Sequence, residues 1–159
     1  MTFWGPEELT VSTEQAFGLV DITEPARAAT GRAGLEAGSV QLFCPHTSCG
    51  LAITELEDGL HADIEAFLEA LAPVGGTYRH DDLEHRWQNI EPDGRKNGWS
   101  HLRGLVATLP SVVLPVREGE LALGRWQRLF LVELDGPRTR RVDIQAWGRP
   151  RSPSAGTAG

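Results

Sequence analysis

Five histidines, at positions 46, 61, 80, 85 and 101, and a single pair of cysteines are the residues of this chain with the widest chemical reach. His46, His80 and His101 fall at the ends of predicted elements, beside glycines and polar turns, where side chains from distant segments can converge. Sites for a zinc-like ion are assembled in that way. The sequence holds no HxxxH or HxH pair, so surface or capping histidines account for the same spacing. His61 lies beside the apolar face of a helix and His85 in a loop, which favours structural roles for both. In the run FCPHTSCG, Cys44 and Cys49 stand in a C-x4-C spacing without the second cysteine pair that a structural zinc site needs. Cys44 follows an alternating strand and reads as a small buried hydrophobe. His46 lies two residues on, where an extended chain would let it act as base to a thiol.

Among the carboxylates, Glu133 interrupts the apolar run LFLVEL. In a central strand it must be paired, hydrogen-bonded or set against a ligand, because unpaired burial is costly; in an edge strand it faces water. An ion pair with Arg125 or Arg141 would satisfy it. Glu55 ends the run ITE in a similar way, either as a site carboxylate or as an acidic residue favoured ahead of a helix by the dipole. Trp126 and Gln127 form either a ligand platform with an amide beside it or a piece of core with a satisfied amide.

The elements that must position these groups come from pattern. Residues 9–20 read as extended, and DITEPARAATGRAG opens a short helix with Thr23 as N-cap and Pro25 close behind, stopping at glycine. SVQLF and GLAITE alternate as successive strands. Asp58 then caps a helix whose Leu60, Ile64, Phe67, Leu68 and Leu71 share one face, expected to be core, and Pro73 with Gly75 and Gly76 ends it. Residues 81–98 are polar and irregular, long for a structureless segment, and long loops are often functional. Three strands follow, SVVLPV, a long one around RWQRLFLVEL, and TRRVDIQAW, joined by the turns REGE and DGPR. Clusters of strands and helices without strict alternation indicate an α+β fold with a mixed sheet.

The chain has 159 residues, 40% hydrophobic and 23% charged, which suits one domain. That domain is expected over residues 1–147, with residues 148–159, GRPRSPSAGTAG, as a disordered tail. A net charge of −7 argues against nucleic acid as a partner. MTFWGPEELTVS lacks a basic segment leading into an apolar one, and no window approaches the roughly 18 apolar residues that span a bilayer. A cytoplasmic protein without membrane contact is expected, its cysteines kept as thiols.

Read together, PHTSCGLAITELED, YRHDD, the asparagine and histidine of NGWSHL, SVVLPV and LGRWQRLFLVELDGPRTRRVDIQ resemble the YjbQ family in order and spacing, from about Asp21 to Gln145. The resemblance implies an α+β, sandwich-like single domain with a mixed or antiparallel sheet core and a few helices, assembled as a homotrimer. It implies a pocket of His46, Thr47, Glu55, His80, Asn97, His101, Trp126, Gln127 and Glu133, with Arg103 where the family has lysine or arginine. His46, His80 and His101 are the expected ligands of a divalent metal ion, zinc or magnesium, with no organic cofactor. Some members of the family are associated with a secondary thiamine-phosphate synthase activity, which joins hydroxymethylpyrimidine diphosphate to thiazole phosphate and releases pyrophosphate, so a small phosphorylated ligand is the implied partner. The alternatives are a non-catalytic trimeric binder of a metal or small ligand, and a metal-assisted hydrolase. Ser48 replaces a common threonine, Arg125 replaces the usual threonine before Trp126, and residues 83–96 form a longer loop than is usual.

Overall fold

Burial alternates strictly from Arg140 to Gly148 of the last long strand, and that pattern puts Val142, Ile144 and Ala146 on the buried face. The computed structural model describes residues 1–90 and 92–152. In chain order its elements are β1 (Thr2–Ser12), β2 (Gly18–Asp21), α1 (Thr23–Ala33), β3 (Leu35–Phe43), β4 (Cys49–Thr54), α2 (Asp58–Leu71), α3 (Gly98–Ala107), β5 (Ser111–Arg117), β6 (Glu120–Leu121), β7 (Arg128–Glu133) and β8 (Thr139–Pro150), with a 3-10 turn at Arg79–Asp81. Five strands form one sheet in the order β1-β8-β3-β5-β6, and β2-β7-β4 form a second. All of these pairings are antiparallel.

The two sheets share one core. Val40, Leu42, Leu114 and Ile144 of the larger sheet meet Leu51, Leu129 and Leu131 of the smaller, and Ala26, Ala29 and Ala33 bring α1 in close behind them. This is the expected α+β sandwich. β7 is buried on both faces: Leu129 and Leu131 point into that core, while Phe130 and Val132 pack on Leu68 of α2. Glu133 is therefore in a central strand and not at an edge.

Several expectations need correction. The apolar face of α2 is not core: Leu68 is buried, Ile64 partly so, but Phe67 is 62% and Leu71 52% exposed. The helix meets the sheet along one narrow line, and its apolar stripe is wider than that line. The N-cap of α2 is Glu57, whose carboxylate accepts from Gly59 N and Leu60 N, and that of α1 is Ile22. Thr23, one residue later, accepts instead from Leu129 N at 2.8 Å. The long strand begins only at Arg128, leaving Trp126 and Gln127 in a turn.

The expected tail is ordered up to Arg151. Gly148 pairs with Gly38 and Arg149 with Ala37, and Arg151 N donates to Gly34 O at 2.8 Å. A backbone ladder needs no apolar side chains, and the two glycines serve it: a Cβ on either would stand 2.2 Å from a backbone oxygen across the pair. Residues 153–159 of that expected tail lie outside the described ones. Among the described residues, no helix is long and apolar enough to cross a membrane.

Candidate functional site

The chain passes from the larger sheet to the smaller between the end of β3 and the start of β4, and this crossing carries His46, Thr47 and Ser48. It is held from behind by a buried ion pair. Glu133, fully buried, accepts from Arg140 Nε at 2.7 Å and Nη2 at 2.5 Å, from Thr13 Oγ1 at 3.0 Å, and from the N–H groups of Leu134 and Asp135 at 2.9 and 2.8 Å. Burial opposes the charge, but the guanidinium and the N–H groups outweigh it and hold the carboxyl below its usual range. Arg140 also donates to Ser48 Oγ at 3.1 Å, which ties the crossing to the pair. The partner of Glu133 is thus Arg140, and neither Arg125 nor Arg141.

His46 Nε2 accepts from Arg141 N at 3.0 Å, so its neutral ring carries the proton on Nδ1. Burial, then the charges of Arg140 and Arg141, pushes its pKa below the ordinary 6.5. His101, on the second turn of α3, donates from Nδ1 to Thr47 O at 3.0 Å, which leaves Nε2 with a lone pair. Its pKa is also lowered, by burial first and then by His80 and Arg86. The ring of His80 lies 4.6 Å from that of His101, centroid to centroid.

Local chemistry brings these two rings together. Asp81 accepts from Gly98 N at 2.9 Å, docking the 3-10 turn on the start of α3. A Cβ at Gly98 would come within 2.6 Å of the Tyr78 side chain, so only glycine permits that approach. Asn97, just ahead of the helix, donates to buried Asp135 at 2.9 Å, as does Arg138.

His46, Thr47, His80, Asn97 and His101 all line one cleft of about 1360 Å³, with the loop after Asp82 as its outer wall. Arg79, Arg86, Arg95, Arg138 and Arg140 line it too, against Asp82, Asp93 and Asp135. Asp135, Arg138 and Arg140 were not among the expected site residues, although the run DGPRTRR after a buried strand is the signal that marks them.

The other expected site residues lie elsewhere. Arg103 is buried with its Nε on Ala72 O at 2.9 Å and its Nη2 on Glu69, where it joins α3 to the end of α2. Glu55 is exposed after β4. Trp126 is exposed with Arg125 stacked 4.6 Å from its ring centre, and Gln127 accepts from Gly124 N at 2.7 Å to close its own turn. Glu133 stands behind the cleft wall. Among the described residues no three His, Cys, Asp or Glu side chains are grouped to hold a metal ion. His46 Nε2 and His101 Nδ1 each meet a backbone group, which leaves one ring nitrogen of each histidine for another partner.

The family model for UPF0047 protein YjbQ-like matches residues 7–149. A UPF0047 protein of Archaeoglobus fulgidus is 43% identical over 142 residues, covering 87% of this chain and 98% of that protein. YugU of Bacillus subtilis, also a UPF0047 protein, is 28% identical over 88% of this chain and 97% of its own length. Among solved structures, a YbjQ-like protein of unknown function from Sulfolobus solfataricus superposes with a TM-score of 0.81 at 30% identity, covering 93% of this chain and 99% of the other.

Proposed function

This chain belongs to the YjbQ-like UPF0047 family, and from that premise we propose that its cleft binds a small phosphorylated ligand and serves a transferase of the thiamine-phosphate synthase kind. The observation that carries the reading is the sign of the cleft. In a chain of net charge −7, five arginines and four histidines line it against three aspartates among the described residues. Guanidinium groups recognise phosphate oxygens with paired donors.

In this reading, hydroxymethylpyrimidine diphosphate loses pyrophosphate, and the thiazole nitrogen attacks the methylene carbon left behind. The protein must then neutralise charge on the departing pyrophosphate and hold the two rings together. Arg138, one-third exposed (33%) on the cleft wall, is placed for the first task, with the Nδ1–H of His46 as a further donor. His101 Nε2 is the acceptor within the cleft. Arg103 and Glu133 have no part in the chemistry, since both are saturated by structural partners. A divalent ion, if one takes part, arrives with the phosphate groups of the ligand. The cytoplasm is the compartment assumed.

A homotrimer belongs to the same reading. Phe67 and Leu71 of α2 and Leu105 and Val106 of α3 are exposed apolar side chains on neighbouring helices, and burying each would stabilise an assembly by about 1.5–3 kcal/mol. Trp126 and Gln127, remote from the cleft of their own chain, would then act only at a neighbour's.

A second reading, binding without turnover, draws on the engagement of Glu133, Asp135, Arg138 and Arg140 with one another, which leaves few groups free to change partners during a reaction. One assay separates the readings. Pyrophosphate formed only when both substrates are present supports the synthase. Calorimetric binding of pyrophosphate without turnover supports the binder, and phosphate released from one substrate alone supports hydrolysis.

A further inference from the structure

The crossing that forms the cleft wall is bracketed by two thiols. Cys44 and Cys49 are both buried, and their sulfurs lie 3.5 Å apart. Cys44 is anchored by its N–H on Pro110 O at 2.8 Å, and Cys49 opens β4 directly opposite Glu133 of β7. Four residues lie between them, Pro45, His46, Thr47 and Ser48, and all four line the cleft. Both sulfurs sit in the core cluster behind that wall.

We propose that Cys44 and Cys49 form a reversible disulfide that resets the cleft wall carrying His46, Thr47 and Ser48. A disulfide bond holds its sulfurs about 2.05 Å apart, so closure draws the two ends of the crossing together. Every tie of that segment feels the change: Ser48 on Arg140, His46 on Arg141 N, and Thr47 O on His101.

The two thiols differ in the way such a reaction requires. The hydrogen bond between the two sulfurs, with the Arg140 charge beside it, favours the thiolate at Cys44 and keeps the Cys49 thiol protonated. With a peroxide as oxidant, the Cys44 thiolate attacks one oxygen, the O–O bond breaks, and hydroxide leaves to take up a proton as water, giving a sulfenic acid. The Cys49 sulfur then attacks the Cys44 sulfur, loses its proton and displaces the hydroxyl as a second water. Two thiols and one peroxide thus yield one disulfide and two waters. A small dithiol reverses the bond by exchange.

The test uses the full chain, hydrogen peroxide and no other ligand, so its outcome is independent of what the cleft binds. Expected after treatment are a mass lower by two hydrogens, no thiol left for alkylation under denaturing conditions, full recovery with dithiothreitol, and displaced imidazole signals of His46 and His101 in NMR spectra. In Cys49→Ala the same treatment should leave a sulfenic acid on Cys44 that a dimedone probe captures. The proposal is overturned if both thiols survive treatment, if the bond forms only between chains, or if the histidine signals stay in place while the bond forms. The wild-type measurements stand alone should the variant fail to fold.

Discussion

Glu133 shows how one residue can look catalytic and act by holding others. Its five hydrogen bonds leave it no capacity for a ligand, yet through Arg140 it sets the position of Ser48 and the crossing beside it. Replacing it with Gln keeps the shape and strands the Arg140 charge in the core. The expected loss is about 3–5 kcal/mol of stability, read from denaturant unfolding, and a variant within about 0.5 kcal/mol of the parent would remove the ion pair from this role. The histidines set a pH dependence of their own. His46 and His101 have folded pKa values below the ordinary 6.5, so below that pH the unfolded chain binds more protons and stability falls as pH drops. Glu133 is also lowered, from an ordinary 4.5; its contribution is present above that value and is lost as pH falls through its folded pKa. A melting temperature followed from pH 8 downward should decline in two stages, the first beginning near 6.5. His101→Gln should shrink the first stage and spare the second.

At the scale of elements, Arg103 is the clearest case of a charged residue placed by helix packing. It spans from α3 to the carbonyl of Ala72, the residue just after α2, so Arg103→Ala should cost about 1–3 kcal/mol by leaving Ala72 O without its donor, with pyrophosphate binding in calorimetry unchanged. A loss of binding at full stability would return Arg103 to the cleft. Why α3 escapes a reading of the sequence is also physical. Gly98 and Gly104 lower its intrinsic propensity, and the group that caps its first N–H is Asp81, from another segment. The strands around Val40, Leu51, Leu114 and Val142 are legible because alternation is written in their own residues. The REGE turn is legible too, with Glu118 and Gly119 at positive φ between paired Arg117 and Glu120. His46, Thr47, His80, Asn97 and His101 are recognisable by motif. The run DGPRTRR marks the positions of Asp135, Arg138 and Arg140 but not their roles, which depend on which strands lie side by side.

At the scale of the whole molecule, the unsatisfied surface is the apolar face of α2 and α3. Leu105 is 82% exposed in the single chain, so Leu105→Asp should leave the stability of an isolated chain within about 0.5 kcal/mol. If that face closes a homotrimer, light scattering should find the parent at three times the chain mass and the variant at one. A parent that runs as a monomer rejects the assembly. The pairing of β1 with β8 has a consequence in time. Thr13 and Arg138, which bond at the ends of these two strands, are 125 positions apart, and β8 also supplies the neighbour of β3. During synthesis β1 leaves the ribosome long before its partner exists, and it has no place in the larger sheet until β8 arrives to join it to β3. For most of its production the chain is thus an open sheet with bare edges, dependent on its last strand to close, and topologies of that kind acquire their structure late and in milliseconds to seconds.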